Sequence, residues 1–212
     1  MSEAFGKISE AVIAGKIDEV KSLTQGAIDG GSAPGEVMDG GLLPGMDIVG
    51  QRMKTGEMFI PEVLLSARAM QSGLDLLLPL MGEGESRSPG TAVIGTVQGD
   101  LHDIGKNLVG MMLKGAGFVV IDLGTDIKPQ QFADAVKEHD ANLVGLSALL
   151  TTTMPKMQET IETLVEAGLR DKVKVMAGGA PVTQEFVDKI GADAYGANAA
   201  AAVDKAKELM AK

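Results

Sequence analysis

The second half of the chain alternates short apolar runs with stretches of helical periodicity. The nearly continuous apolar runs predict five buried strands, the last one weak, at residues 91–97, 118–123, 142–148, 173–179 and 192–195. Steps of three and four residues between apolar positions predict helices at about residues 103–115, 129–139, 155–167, 182–190 and 199–211. This alternation predicts an α/β fold with a flavodoxin-like (Rossmann-type) doubly wound parallel sheet in strand order 2-1-3-4-5.

The first 82 residues have helical periodicity throughout. Apolar residues recur every three or four positions from Ile60 to Met81, and Pro61 falls in the first turn, where its missing N–H is tolerated. Breaks at glycine and proline divide the preceding sequence into predicted helices at about residues 2–14, 17–29 and 35–53. We therefore predict an N-terminal bundle of four helices.

A polar segment separates the two halves. Residues 82–90, Gly-Glu-Gly-Glu-Ser-Arg-Ser-Pro-Gly, contain no apolar anchor, which is typical of a linker. We predict a helical domain at 1–82, a linker at 83–90 and an α/β domain at 91–212.

Composition narrows the possible partners. Nineteen basic residues against 29 acidic ones give a net charge of −10, which disfavours nucleic acid and anionic membranes as partners. The sequence has no cysteine, so disulfides and thiolate metal sites are excluded. The N-terminus has no signal-peptide pattern, and no apolar run reaches the ~20 residues of a membrane span, so we expect a cytoplasmic protein.

The predicted sheet places a ligand site at two loops. Ligands of doubly wound sheets bind beyond the carboxyl ends of the strands where the strand order reverses, here between strands 1 and 3. The loop after strand 1, residues 98–105, contains His102, and residues 147–153 after strand 3 contain four hydroxyl side chains. We expect these loops to form the functional site.

His102 and Asp100 have two interpretations at this stage. They could be a metal ligand and the carboxylate that orients it, because ligating imidazoles commonly donate their second N–H to a carboxylate. Alternatively, Asp100 or Asp103 caps the next helix and His102 is a solvated loop residue. One histidine without cysteine cannot form a zinc site, so a metal at His102 needs most of its ligands from a cofactor such as a tetrapyrrole. His139, among charged residues, is predicted to be a surface histidine.

Glycines cluster at the same predicted edge of the sheet. Turn geometry explains any one of them, whereas together they would leave room for a bulky ligand. They do not form the Gly-x-Gly-x-x-Gly pattern of dinucleotide sites, and the sequence has no phosphate-binding P-loop motif. The residues concerned are Gly95, Gly99, Gly105, Gly178 and Gly179.

Three segments together resemble the signatures of the cobalamin-binding fold. They are Gly-Asp-Leu-His-Asp-Ile-Gly-Lys-Asn from residue 99, Gly-Leu-Ser-Ala-Leu-Leu-Thr-Thr-Thr from residue 145 and Gly-Gly-Ala-Pro from residue 178. Residues 45–70 are also similar to the cap segment of cobalamin-dependent methionine synthase and of corrinoid proteins in methyltransferase systems. The resemblance covers most of the chain and implies a free-standing corrinoid protein.

The resemblance assigns roles around the cobalt. It implies that His102 replaces the cofactor's own base as the lower ligand (base-off, His-on), that Asp100 hydrogen-bonds His102, and that Thr153 hydrogen-bonds Asp100. The family often has serine in place of Thr153. It further implies contacts to the cofactor from Asp103, Ile104 and Leu149.

The resemblance also assigns residues to the displaced nucleotide tail and to the upper face of the corrin ring. Met53 and Ile60 would cover the upper face, and the family often has phenylalanine in place of Met53. The alternative for both residues is an ordinary core position, since both lie on apolar helix faces. Residues implied to line or leave room for the tail are Gly99, Gly105, Ser147, Thr151, Gly178, Gly179, Asn198 and Ala199.

The function implied is methyl transfer on cobalamin, assisted by other proteins. A substrate-specific methyltransferase would deliver a methyl group from methanol, a methylamine, betaine or an aryl methyl ether (O-demethylation). An acceptor methyltransferase would pass it to tetrahydrofolate or a thiol, and a reductive activase would restore the cofactor. A mutase subunit would lack the helical segment, a cobalamin-based regulator would need a DNA-binding or signalling domain, and a receiver-like domain would need an acidic phosphorylation cluster.

Overall fold

The structure is a computed structural model that describes residues 3–81 and 88–211. The chain divides into two compact units, a helical unit (1–88 with 114–117) and an α/β unit (89–113 with 118–212). Residues 83–87 of the predicted linker lie outside the described residues. Among the residues described, no helix is long and apolar enough to cross a membrane.

The helical unit contains the four predicted helical segments. The third is not one continuous helix, because a π-helical turn at Met38–Leu42 interrupts it. Adding a Cβ at Gly40 within this turn would bring it 2.7 Å from the Phe5 ring, so the glycine permits close approach to the first helix. The helices are α1 (Glu3–Ile13), α2 (Ile17–Asp29), α3 (Pro34–Val37), α4 (Leu43–Thr55) and α5 (Ile60–Leu77), followed by a 3₁₀ turn at Leu78–Leu80.

The α/β unit has the predicted alternation. Its strands are β1 (Thr91–Thr96), β2 (Val119–Asp122), β3 (Leu143–Ser147), β4 (Lys174–Gly178) and β5 (Ala194–Gly196). Its helices are α6 (Ile104–Gly115), α7 (Pro129–Glu138), α8 (Pro155–Glu166), α9 (Gln184–Ile190) and α10 (Ala199–Met210). The sheet is parallel in the order β2-β1-β3-β4-β5, so the predicted fold class and strand order are confirmed.

The burial of β1 fits its central position in the sheet. Every residue of β1 after Thr91 is buried, as expected for a central strand covered by helices on both faces. Gly95 in this strand leaves room for Phe132 of α7, because an added Cβ would lie 2.7 Å from that buried ring. Gly95 therefore serves core packing, and the interpretation that this glycine leaves room for a ligand is wrong.

The register of β1 and β3 brings the loops that follow them to the same edge of the sheet, because Thr96 of β1 pairs with Ser147 of β3.

Candidate functional site

The buried carboxylate of Asp100 joins the loops that follow β1 and β3. Its Oδ1 accepts hydrogen bonds from the backbone N–H of His102 (3.1 Å) and lies 2.7 Å from His102 Nδ1. Its Oδ2 accepts from the backbone N–H groups of Leu149 (2.8 Å) and Leu150 (3.2 Å) and lies 2.7 Å from Thr153 Oγ1. Asp100 is fully buried, so these five contacts replace the water it loses.

These contacts keep Asp100 ionised. Burial alone raises the pKa of Asp100, because it disfavours the charged form. Hydrogen bonds from Thr153, from His102 and from the backbone of Leu149 outweigh burial, and together they hold the pKa of Asp100 well below its usual range. The loop therefore contains a fixed negative charge directly behind the imidazole.

His102 presents one ring nitrogen outward. Its side chain is 51% exposed while Asp100 behind it is buried. Because Nδ1 faces the Asp100 carboxylate, Nε2 is the nitrogen left for a ligand. This geometry fits the pairing of a metal-ligating imidazole with an orienting carboxylate. His139, by contrast, ends α7 as an exposed residue, as predicted.

The helix-capping alternative does not describe Asp100, whose carboxylate is occupied by His102 and the β3 loop. Asp103 does support the start of α6. Its backbone carbonyl accepts from the Asn107 N–H at 2.7 Å, and its side chain accepts from Asn107 Nδ2 at 2.9 Å. Asp103 therefore positions the helix that begins beside His102.

The His102 loop is also supported from β1 and from the loop after β2. The buried Thr96 hydroxyl donates to the His102 carbonyl at 2.9 Å. Asp126 accepts from the Gly99 N–H at 2.7 Å and donates its own N–H to the Asp100 carbonyl at 3.0 Å. Asp126 adopts φ +56°, a left-handed conformation that aspartate tolerates better than most residues. Sequence reasoning missed Asp126, whose role depends on the neighbouring position of β2.

Large apolar side chains are exposed on the same two loops. Leu101 and Ile104 flank His102 and are 73% and 79% exposed, and Leu149 and Leu150 are also exposed. Exposed apolar groups of this size beside a polar site are typical of a ligand-binding surface. Sequence reasoning predicted cofactor contacts for Ile104 and Leu149 but did not single out Leu101 or Leu150.

A cavity of about 260 Å³ opens beside the carboxyl ends of β3, β4 and β5. Its lining is mostly glycine, alanine and aliphatic side chains. Thr151 and Gly99 are not among the described residues that line it, and Gly99 instead adopts φ +82° in the His102 loop. Six residues that the sequence associates with a ligand tail do line it: Gly105, Ser147, Gly178, Gly179, Asn198 and Ala199.

Three glycines of this cavity differ in how much space surrounds their Cα atoms. Gly179 has φ +129°, and an added Cβ would lie 1.9 Å from the Ala148 carbonyl oxygen. An added Cβ on Gly178 would lie 2.8 Å from the Gly196 carbonyl oxygen. A Cβ on Gly105, in contrast, would meet nothing within 4 Å. The first two glycines permit close backbone approach, whereas Gly105 faces open space.

Lys106 is a lining residue that sequence reasoning missed. Its side chain is 3% exposed, and its ammonium donates to Asp122 Oδ1 at 2.6 Å and to Asn107 Oδ1 at 2.7 Å. The pair connects α6 to the end of β2. Its signal in the sequence is weak, because a lysine after glycine in a helix is ordinarily solvated.

Met53 and Ile60 belong to the helical unit. Met53 is half-buried in α4, and Ile60 is exposed at the start of α5. The preceding Phe59 is 67% exposed, an unusual position for an aromatic ring that sequence reasoning did not single out. The predicted roles of Met53 and Ile60 toward a corrin ring stay predictions.

The described residues offer few side chains that could bind a metal ion together. Within residues 3–81 and 88–211, no group of three or more histidine, cysteine, aspartate and glutamate side chains could hold a metal ion. A metal at His102 would therefore take its remaining ligands from a cofactor. One outward-facing imidazole, surrounded by exposed leucine and isoleucine, fits a cofactor that combines a metal with an extended apolar ring.

Comparisons with known proteins point to a B12-binding family. Two family profiles described as B12 binding domain match residues 4–78 and 90–204. A dimethylamine corrinoid protein of Methanosarcina barkeri is 48% identical over 210 residues, covering 99% of this chain and 98% of its own length.

Two solved structures share the fold over nearly the whole chain. A cobalamin-binding protein of Desulfitobacterium hafniense DCB-2 has a TM-score of 0.80 at 33% identity, covering 97% of this chain and 98% of its own. The methanol:cobalamin methyltransferase complex MtaBC of Methanosarcina barkeri has a TM-score of 0.89 at 34% identity, covering 99% of this chain and 80% of the matched chain. The predicted family is confirmed: the chain belongs to the B12-binding corrinoid proteins of methyltransferase systems.

Proposed function

We propose that this protein carries a methyl group on cobalamin that is bound base-off, with His102 as the lower ligand of cobalt. One observation carries the proposal: the half-exposed His102 ring has Nδ1 2.7 Å from the buried Asp100 carboxylate. That contact leaves Nε2 as the single nitrogen that the ring presents to a metal.

Bound cobalamin supplies a cobalt ion that can accept a methyl group and give it up again. His102 would hold this cobalt from the lower side, and Asp100 keeps the imidazole in one tautomer and one orientation. Thr153 and the N–H of Leu149 fix the Asp100 carboxylate in turn. The chain's contribution is thus a pre-oriented nitrogen backed by a permanent negative charge.

The remaining site residues divide between the ring and the tail of the cofactor. We assign the exposed side chains of Ile104 and Leu149 to the lower face of the corrin ring. The displaced nucleotide tail would enter the cavity whose wall includes Gly105, Ser147 and Gly178. We retain Thr151 as a proposed contact to the tail, and we assign Gly99 to the conformation of the His102 loop.

The helical domain, which we place at residues 1–82, would cover the upper face of the ring. Met53 and Ile60 are the residues proposed to contact the ring there, and the exposed Phe59 is a third candidate. We propose residues 83–90 as the linker between this domain and the α/β domain at 91–212.

We propose that the methyl donor is a methylamine, because a dimethylamine corrinoid protein is 48% identical over almost the full chain. Methanol, betaine and aryl methyl ethers remain alternatives to be tested alongside it. A substrate-specific methyltransferase would load the methyl group, and an acceptor methyltransferase would pass it to tetrahydrofolate or a thiol. A reductive activase is the third proposed partner, and the cytoplasm is the proposed location.

The lower-ligand assignment is tested by electron paramagnetic resonance of the holo-protein with cobalt in the Co(II) state. Protein containing ¹⁵N-labelled histidine, loaded with unlabelled cobalamin, should show a changed nitrogen coupling, because the coupled nitrogen belongs to the protein. His102→Ala should abolish this label-dependent coupling.

His139→Ala is the matched control, since His139 is the other histidine of the chain and lies exposed at the end of α7. It should leave the label-dependent coupling intact. A nitrogen coupling that does not change when histidine is labelled would mean that the cofactor's benzimidazole remains on cobalt. The His-on assignment would then be wrong.

A further inference from the structure

The cavity of the α/β unit offers a bound group few hydrogen-bonding side chains. Of the described residues that line it, five are glycine, five are alanine and four are Ile94, Val109, Leu146 and Met176. Only four carry polar side-chain groups: Lys106, Ser147, Tyr195 and Asn198. The chemistry of an occupant is therefore restricted by which of these four are available.

Lys106 is fully engaged within the protein. Its ammonium carries three N–H donors, and it contacts both carboxylate oxygens of Asp122 and Asn107 Oδ1. Its side chain is buried, so the cavity receives its aliphatic stem and not its charge.

Asn198 is partly engaged. Its side-chain oxygen accepts the Ala201 N–H at 2.9 Å and caps the start of α10. The side-chain groups left for an occupant are the hydroxyls of Ser147 and Tyr195 and the amide N–H₂ of Asn198. These few groups can serve the sugar or one ring nitrogen, but they do not complement a base with several donors and acceptors.

We propose that this cavity selects corrinoids whose lower base is an apolar aromatic ring, such as dimethylbenzimidazole, over corrinoids with a purine base. This inference rests on the proposed function, in which the nucleotide tail enters the cavity. Dimethylbenzimidazole displaced from cobalt has one ring nitrogen to satisfy and two methyl groups that suit the aliphatic wall. Adenine adds an amino group and further ring nitrogens, and the described lining residues offer no side-chain partners for them beyond Ser147, Tyr195 and Asn198.

The size of the discrimination follows from the cost of an unsatisfied buried polar group. That cost corresponds to a loss of roughly five- to 150-fold in affinity. We expect a corrinoid with adenine as its lower base to bind at least about fivefold more weakly than cobalamin.

The test compares three ligands on the purified full-length protein by absorption titration. They are cobalamin, the analogue with adenine as lower base, and cobinamide, which lacks the nucleotide tail. We expect cobalamin to bind most tightly of the three. Equal or tighter binding of the adenine form would overturn the inference, and so would equally tight binding of cobinamide. Failure of all three to bind would instead overturn the proposed function.

A variant tests whether the nucleotide tail occupies this cavity, as the discrimination requires. Gly105→Met adds a side chain at a position where a Cβ meets nothing within 4 Å, so the helix tolerates it while the cavity fills. The ratio of the cobinamide and cobalamin dissociation constants should fall toward unity. Gly26→Met is the matched control, because Gly26 is an exposed helical glycine of α2 with nothing within 4 Å of an added Cβ.

Gly26→Met should keep the wild-type ratio. An unchanged ratio in Gly105→Met would show that the tail does not occupy this cavity and would overturn the inference. Should Gly105→Met fail to fold, the three-ligand comparison on the unmodified protein still decides the question.

Discussion

At the scale of single residues, Asp100 connects more of the site than His102 does. Its two oxygens receive contacts from the His102 loop on one side and from the β3 loop on the other. An amide in its place offers one acceptor oxygen and one donor nitrogen, so one of these two groups of N–H donors must face another donor. The effect of changing Asp100 is therefore predictable from geometry alone.

Asp100→Asn should weaken cobalamin binding by about 10–100-fold, because the imidazole loses its fixed orientation. Thr153→Val should have a smaller effect, since the backbone N–H groups of Leu149 and Leu150 still reach Asp100. Thr153→Ser is the control, because it keeps the hydroxyl. Titration of each variant with cobalamin measures the loss. If Thr153→Ser bound as weakly as Thr153→Val, the threonine hydroxyl would not be the group that matters.

At the scale of secondary-structure elements, most of the α/β unit could be predicted because its strands are apolar runs that end at glycine or at polar residues. Strand β3, predicted at 142–148, is Leu143–Ser147, and strand β4, predicted at 173–179, is Lys174–Gly178. The π-helical turn at Met38–Leu42 was not predictable from apolar periodicity, because it depends on how α1 fits against it.

The candidate site, like the fold, was only partly predictable from the sequence. The Asp100 and His102 pairing could be predicted because both residues lie in one short loop after a strand. Asp126 and Lys106 could not, because each contact joins the loop or helix after β1 to the end of β2 or the segment that follows it. These segments meet only through the sheet order. Sequence reasoning therefore located the loops of the site but not the contacts that support them.

The connection between β4 and α9 leads to a stability prediction. Gly179→Ala should destabilise the apo-protein by about 1–3 kcal/mol or more, because φ +129° is unsuitable for alanine and the added Cβ collides with the Ala148 carbonyl. Urea unfolding, followed through Tyr195, the only tyrosine in a chain without tryptophan, would measure this in the α/β unit. Gly105→Ala is the control and should be neutral or stabilising by about 0.5–1 kcal/mol, as for glycine replacement inside a helix. Wild-type stability of Gly179→Ala would contradict the close approach.

At the scale of the whole molecule, the protein is acidic, and every residue that we assign to the site is proposed to hold the cofactor. Its net charge of −10 gives partner enzymes a charged surface to recognise. His102, Asp100 and Thr153 are engaged with one another on the lower side of the proposed cobalt site. Activation of a methyl donor is therefore the part of the reaction that we assign to a second protein.

The holo-protein alone should not demethylate its donor. Amines and alcohols are poor leaving groups until an acid or a metal activates them, so reduced holo-protein mixed with dimethylamine, methanol, betaine or a methoxyarene should keep the absorption spectrum of reduced cobalamin. Addition of the matching methyltransferase should convert that spectrum to the methylated form. His102→Ala loaded with cobalamin serves as the control, because it keeps the corrin ring while changing the lower ligand. Rapid conversion by the wild-type chain alone would reveal a substrate site within this protein and would make it a complete enzyme.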